Sequence, residues 1–366
     1  MLLIMNFNVF NSNLSLLSLI VFVNILKMKK LFLVSLILFI SSCSLNSVKE
    51  NIDSPNFKDG IFHNLDPNKN RKKGFFRFLS MRLTTDWSDW PDWVSTDEVD
   101  NLNSRESSEK IKVSWINHST FLIQTQGLNI ITDPIFSERA SPVSFAGPKR
   151  VHKPSISLAN LPKIDIVIIS HDHYDHLDLD SINTIIKRDN PQVYLGLGVK
   201  KRLENPSNVI ELDWWESRKF NEITTIHFVP VQHFSGRTLS DRNSTLWGGF
   251  VLEVGGRKIY FGGDTGYGNH FKQVFNEFGE MDVSFLPIGA YAPRSFMKYM
   301  HMNPEDAVKA HNDLNSKKSI GMHFETFQMT AEPRDEPRKI LSDVLKKYQI
   351  NEGNFISPIL GQTLTF

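Results

Sequence analysis

Four side chains able to hold a metal stand within one short stretch, His171-Asp172-His173-Tyr174-Asp175-His176: the donors are His171, His173, Asp175 and His176. Imidazole and carboxylate are borderline ligands suited to zinc, and a turn must gather them before they can face one cavity. The apolar run Ile164-Asp165-Ile166-Val167-Ile168-Ile169-Ser170 precedes them. It reads as a strand, which places the cluster at that strand's carboxyl end. The arrangement recurs downstream. His233 closes the run from Thr225 to Gln232, Asp264 follows Lys258 to Gly263, and His323 follows Lys318 to Met322. Ligands of α/β proteins collect outside the carboxyl ends of strands, so a shared edge is expected. Seven donors, His171, His173, Asp175, His176, His233, Asp264 and His323, suffice for two metals. Zinc brings the pKa of a bound water from about 16 toward about 7, and a metal pair neutralises the oxygens of a displacement at phosphorus.

Three further residues are candidate substrate contacts. Tyr174 lies inside the motif, Arg237 lies just past His233, and His301 precedes a helix start. Tyr174 and Arg237 could instead brace the ligands. Asp172 is expected to face outward, and His118 to be a structural histidine.

The elements that must position these groups alternate between strand and helix. Residues 111–116, 121–125 and 128–132 read as a meander with a turn at Gln126-Gly127. Helical patterning covers residues 179–189, 271–278, 304–315 and 334–347, with Asn303 capping a helix that has Pro304 in its first turn. At 366 residues and 40% hydrophobic, the chain can bury one large core or two modest ones. Its 41 basic and 40 acidic residues create no global field that would favour nucleic acid. G-x-S-x-G is absent, and the lone Asp264-Thr265-Gly266 has no second copy, so serine-hydrolase and aspartic-protease chemistry are set aside.

The order of these motifs resembles the metallo-β-lactamase superfamily from about Lys112 onward. The resemblance implies an α/β (α+β) fold, a four-layer αββα sandwich with a dinuclear site. His171, His173 and His233 would then hold the first zinc and Asp175, His176 and His323 the second, with Asp264 as bridge. Asp264, Asp175 and His323 count as catalytic. Flanking stretches, among them Gly147-Pro148-Lys149-Arg150, Glu211-Leu212-Asp213-Trp214-Trp215 and Pro287-Ile288-Gly289-Ala290-Tyr291, are similar to the N-acyl-phosphatidylethanolamine-hydrolysing phospholipase D family. That resemblance implies two zinc ions, a phospholipid substrate at a membrane surface, and release of phosphatidic acid and an N-acylethanolamine. A homo-oligomer is left open. Ala292 and Met300 depart from the mammalian pattern, which has an acidic residue and a glutamine there. The alternatives are a metallo-hydrolase of a lactone, amide or β-lactam, and a non-catalytic metal-binding envelope lipoprotein.

The amino-terminal third reads differently. Lys29-Lys30, an apolar core from Leu31 to Ile40, and Ser41-Ser42-Cys43 describe a secretory signal. The ending resembles a bacterial lipobox, which implies cleavage before Cys43 and a lipid on the chain's one cysteine. The expected organisation is a signal region at 1–42, with the true start at Met28. A tether with a basic and aromatic extension follows at 43–110, then a hydrolase domain at 111–366. The extension includes Arg71-Lys72-Lys73-Gly74-Phe75-Phe76-Arg77-Phe78, a composition suited to an anionic bilayer. Trp87, Trp90 and Trp93 read as packing residues. The expected location is the bacterial cell envelope, with the protein lipid-anchored.

Overall fold

Two seven-stranded sheets carry the donors. A computed structural model describes residues 52–66, 75–96, 102, 105–204 and 207–366. The signal region, Cys43 and the basic stretch at 71–74 lie outside the described residues. A small hairpin, β1 (Phe57–Lys58) with β2 (Ile61–Phe62), and helix α1 (Phe75–Thr84) precede the sheets.

The first sheet uses β3 (Lys112–Asn117), β4 (Thr120–Thr125), β5 (Leu128–Thr132), β6 (Ile166–Ile169), β7 (Gln192–Gly196) and β8 (Val209–Leu212) in sequence order. The second runs through β9 (Ser217–Asn221), β10 (Thr224–Val229), β11 (Gly249–Val254), β12 (Arg257–Phe261), β13 (Val283–Pro287), β14 (Lys318–Met322) and β15 (Phe355–Ile356). β16 (Thr363–Thr365) returns to pair with β3. In both sheets antiparallel pairing gives way to parallel pairing, at β5–β6 in the first and at β12–β13 in the second. Parallel strands covered on both faces read as unbroken apolar runs. Ile166-Val167-Ile168-Ile169 is such a run, with every residue buried.

The expected meander forms, and its turn places Gln126 and Gly127 at φ 50° and 74°, the paired left-handed geometry of a two-residue hairpin. Trp115, Phe121 and Ile168 of the first sheet share a core with Phe228, Phe250 and Phe285 of the second. Helix α2 (Leu179–Asp189) covers the outer face of the first sheet through Ile182, Ile185 and Ile186. Helices α3 (His270–Phe278), α5 (Pro304–Asp313) and α6 (Glu336–Lys347) pack on the second; α4 (Arg294–Met297) is one turn. The layers are therefore αββα, as the sequence implies. Asn303 caps α5, its side chain accepting from Asp306 N at 3.0 Å, with Pro304 in the first turn.

The tether expected before residue 111 needs correction. Residues from Ile52 to Phe366 form one compact unit. Phe62 is fully buried in the shared core, and Asn64 reaches the site. Short apolar residues among polar ones hid this, because the hairpin packs on distant strands and shows no periodicity of its own. Trp90 Nε1 donates to Glu332 O at 2.9 Å and Trp87 lies beneath Arg82 at 4.0 Å, while Trp93 is half exposed. No helix among the described residues is long and apolar enough to cross a membrane.

Candidate metal centre

All seven sequence-derived donors converge at one edge of the sandwich. His171, His173, Asp175 and His176 lie on the turn after β6, His233 follows β10, Asp264 follows β12 and His323 follows β14. They divide into two sets. One atom from each of His171, His173, His233 and Asp264 lies within 4.8 Å of the others, and the same holds for Asp175, His176 and His323 together with His118. Asp264 sits between the sets. Its Oδ2 is 3.3 Å from His176 Nε2, 3.6 Å from His233 Nε2 and 3.9 Å from His171 Nε2, and its Oδ1 is 3.1 Å from His323 Nε2.

Neighbouring groups fix which nitrogen of each ring faces inward. His176 Nδ1 donates to Asp133 Oδ2 at 2.7 Å, His233 Nδ1 donates to Met300 O at 2.8 Å, and His171 Nδ1 donates to Ser170 Oγ at 2.9 Å. Each bond keeps a proton on Nδ1 and turns Nε2 inward toward the other donors. His173 presents Nδ1 instead, 2.7 Å from His171 Nε2 and 3.3 Å from His233 Nε2. Lone pairs this close repel unless a cation or a proton lies between them. His176 Nε2 and Asp264 Oδ1 are buried without an aligned hydrogen-bond partner. Imidazole nitrogens and carboxylate oxygens converging at these distances, two of them without an aligned partner, are what divalent-metal ligands look like, so the residues fit the group.

The electrostatics of the two sets differ. Burial pushes His173 down to about 4 and His233 to about 3, and holds His171 well below the ordinary value, so these three rings are neutral. Burial also opposes charge on His176 and His323, but the carboxylates around them prevail. Asp264 and Asp175 raise His176 well above the ordinary value and His323 to about 9. Burial would raise both carboxyls, yet His176 acting on Asp175, and His323 and His176 acting on Asp264, hold them well below the carboxylate range.

Several residues have other places than the sequence suggests. Asp172 is fully buried rather than outward: it accepts from Gly236 N at 2.8 Å and pairs with Arg202 at 3.2 Å. A turn that aims its neighbours inward has little room to aim Asp172 at water, and the buried carboxylate ties the motif to the loop after His233. Arg237 braces the same turn, donating to Asp172 O and Leu177 O at 2.9 and 2.8 Å. Its guanidinium stacks on Tyr174 at 3.8 Å, and Tyr174 Oη donates to Arg237 O at 3.0 Å. Of the two roles open to this pair, bracing is the one the contacts display. His301, a candidate substrate contact, is buried, with Nδ1 3.8 Å from Asp264 Oδ2 and its ring edge-on to His233.

Sequence reasoning missed Asp133, Asn64 and the role of His118. Asp133, at the end of β5, accepts from Ser170 N, Ser170 Oγ and His176 Nδ1 at 2.7, 2.6 and 2.7 Å. Its signal was faint: an aspartate ending an apolar strand on the same edge as the ligands. His118 Nε2 donates to Asp175 Oδ2 at 3.0 Å, and its carbonyl accepts from His323 N at 3.1 Å. Asn64 bonds both backbone groups of His233, at 2.8 and 3.1 Å.

Known proteins share this architecture. The Beta-lactamase superfamily domain matches residues 128–324. An N-acyl-phosphatidylethanolamine-hydrolyzing phospholipase D 1 of Caenorhabditis elegans is 38% identical over 271 residues, 70% of this chain and 76% of the worm protein. A mitochondrial protein of the same description from Saccharomyces cerevisiae is 35% identical, over 69% of this chain and 55% of its own length. In fold, a metallo hydrolase from Ignicoccus hospitalis superposes with a TM-score of 0.53 at 22% identity, covering 70% of this chain and 98% of its own. A metallo-hydrolase fold with two converging donor sets is thus in hand, and this chain belongs to the metallo-β-lactamase superfamily, with N-acyl-phosphatidylethanolamine-hydrolysing phospholipases D among its relatives.

Proposed function

We propose that the protein is a dinuclear zinc phosphodiesterase of phospholipase D type acting on N-acylphosphatidylethanolamine or a related phospholipid. The observation that carries the substrate class is the likeness to the worm phospholipase across 76% of that protein's length, in a chain that retains all seven donors. Bound metal supplies a nucleophilic water near neutral pH and positive charge for the phosphoryl oxygens. His171, His173 and His233 would hold one ion, Asp175, His176 and His323 the other, with Asp264 facing both.

In the reaction, the water oxygen bonds to phosphorus and the bond from phosphorus to the ethanolamine oxygen breaks. The water proton leaves with the departing oxygen, giving phosphatidic acid and an N-acylethanolamine. Asp133, Ser170 and the Met300 carbonyl hold the rings in the tautomers this requires. The location follows from the sequence alone: an envelope protein acylated on Cys43, working on the bilayer that holds it.

Lipid mass spectrometry of the metal-loaded protein with mixed phospholipid vesicles tests the reading. Phosphatidic acid and N-acylethanolamine should accumulate with the wild type and not with Asp264→Asn. Release of lysolipid, or opening of a lactone with the phospholipids untouched, would overturn the phospholipase D assignment.

A further inference from the structure

The His233 ring needs a fixed acceptor at Nδ1 to keep Nε2 turned toward the other donors, and the Met300 carbonyl supplies it at 2.8 Å. That carbonyl belongs to a short loop between α4 and α5. Met297 and Met302 at its ends are buried, whereas Lys298 is exposed and Tyr299 and Met300 are only partly covered. Apolar burial therefore pins the ends of the loop and leaves its middle to polar contacts. The loop lies close over Gly266, two residues past Asp264. A Cβ there would fall 2.7 Å from the Tyr299 carbonyl oxygen and 3.1 Å from Met300 N. The same loop carries His301, which reaches both donor sets. Its ring centroid is 5.1 Å from that of His233 and 5.5 Å from that of His323. Its Nδ1 is buried with no hydrogen-bond partner, 3.8 Å from Asp264 Oδ2.

Arg294, the first residue of α4, bridges this loop to the body of the protein. Nη1 donates to the His301 carbonyl at 2.7 Å, and Nη2 donates to Asp306 Oδ2. Asp306 is itself fixed. It lies in the first turn of α5, its N–H donates to the Asn303 cap, and the helix packs in the core through Ala307, Val308 and Ala310. The approach to α4 is also held, since Glu332 accepts from Tyr291 N and Ala292 N at 3.2 and 3.0 Å. A guanidinium suits the bridge because one planar fork presents two donors to two acceptors at once. An ammonium is a point charge on a flexible stem, so a lysine here would pair with Asp306 and release the His301 carbonyl.

We infer that Arg294 is a positioning residue for the metal centre: it ties the loop at residues 298–301 to α5, and so places the Met300 acceptor for His233 and the His301 ring beside Asp264. The inference rests on the dinuclear-metal reading and makes no use of the phospholipid. Arg294 acts only through the loop. Lys309, 3.5 Å from Asp306, keeps that carboxylate paired when Arg294 is replaced, so α5 should stay intact.

Zinc competition against a chelator, and hydrogen–deuterium exchange of the metal-free protein read by mass spectrometry, test this on the full chain. The variants are Arg294→Gln and Arg294→Lys. Both should weaken one of the two zinc sites by about 10–100-fold, the usual effect of losing an orienting partner, and leave the other as in the wild type. Exchange should rise in the peptide that spans residues 298–303, with peptides from α5 and β14 unchanged. Wild-type affinity at both sites in Arg294→Gln, or faster exchange spread across α5 and β14, would overturn the inference. So would an Arg294→Lys protein that matches the wild type in both measurements, because charge alone would then suffice. A wild type that binds fewer than two zinc ions would remove the dinuclear reading alone, and exchange at residues 298–303 would then decide whether Arg294 holds the loop.

Discussion

Replacing Asp133 with Asn tests whether a residue that touches no substrate sets the metal centre. Oδ1 of Asp133 faces only the Ser170 N–H, while Oδ2 faces the Ser170 hydroxyl and His176 Nδ1. An asparagine can be seated in two ways. With its NH2 at the Oδ1 position, two donors meet at about the present 2.7 Å and the Ser170 N–H is left unpaired, which costs about 1–3 kcal/mol. With its NH2 at the Oδ2 position the Ser170 N–H keeps its acceptor and the amide donates to Ser170 Oγ and His176 Nδ1, provided His176 accepts there; only the Ser170 hydroxyl proton loses its partner. The ring proton then moves to Nε2, the atom that faces Asp175 and Asp264 at 3.3 Å, and closes it to metal. The second seating is the cheaper, so the fold should survive and metal binding should not. Loss of such an orienting partner lowers affinity about 10–100-fold, or about 1.4–2.7 kcal/mol.

Chelator competition gives the affinity of each ion, and thermal denaturation of the metal-free protein gives the stability of the scaffold. The expected result is one tight and one weakened site with a nearly unchanged metal-free melting temperature. Affinities within twofold of wild type at both sites would refute the tautomer argument. A collapse of the metal-free fold would show that Asp133 serves the scaffold rather than His176.

Other substitutions separate scaffold from site. Asn64→Ala frees both backbone groups of His233 and should weaken the ion held with His171 and His173, read by chelator competition, while the Asp175 set keeps its affinity. Gly289→Ala would place a Cβ 2.2 Å from the His323 carbonyl oxygen; overpacking of that kind costs about 1–3 kcal/mol, so it should lower the melting temperature and release the ion near His323. Burial drops His311, bonded through Nδ1 to Ser319 Oγ, to about 4 from an ordinary 6.5. Below pH 6.5 the unfolded chain then binds a proton the folded chain lacks, so stability falls as pH drops from 6.5 toward about 4 and levels beneath it. His311→Gln should remove up to about 3 kcal/mol of that loss in urea melts at pH 7 and pH 4.

The donors were legible because their chemistry is local. Residue type and position at a strand end suffice to nominate His171, His173, Asp175, His176, His233, Asp264 and His323, and the apolar runs before them define the strands. The αββα layering was implied by the resemblance to the superfamily, and the helix at Leu179–Asp189 by its amphipathic spacing. Residues that act through distant partners were not legible. Asn64 works on a backbone 169 positions away, and Asp133 on a ring 43 positions away. No periodicity or spacing carries such information. Asp172, expected to face outward, misled for a related reason: Arg202 and Gly236, which bury it, come from two segments distant in sequence.

The backbone at these strand ends explains why the centre depends on long-range contacts. His118, Asp133 and His323 all sit at positive φ, 43°, 33° and 62°. Each such position costs a side-chain-bearing residue about 1–3 kcal/mol and persists only where its surroundings over-determine it. The surroundings do. His118 N donates to Thr326 Oγ1 at 2.9 Å, His323 N donates to His118 O at 3.1 Å, and Asp133 N donates to Ile168 O at 3.0 Å. The bends turn three side chains off their strands and into one space, where local propensity alone would have continued the strands past it. One bent residue also holds the next, since His118 secures His323 through its carbonyl and Asp175 through its ring. One turn delivers His171, His173, Asp175 and His176, whereas His233, Asp264 and His323 reach the centre only through the strands that carry them. Each set therefore draws on both the turn and the wider sandwich, and damage to the scaffold far from the metals should be felt first at His233, Asp264 and His323.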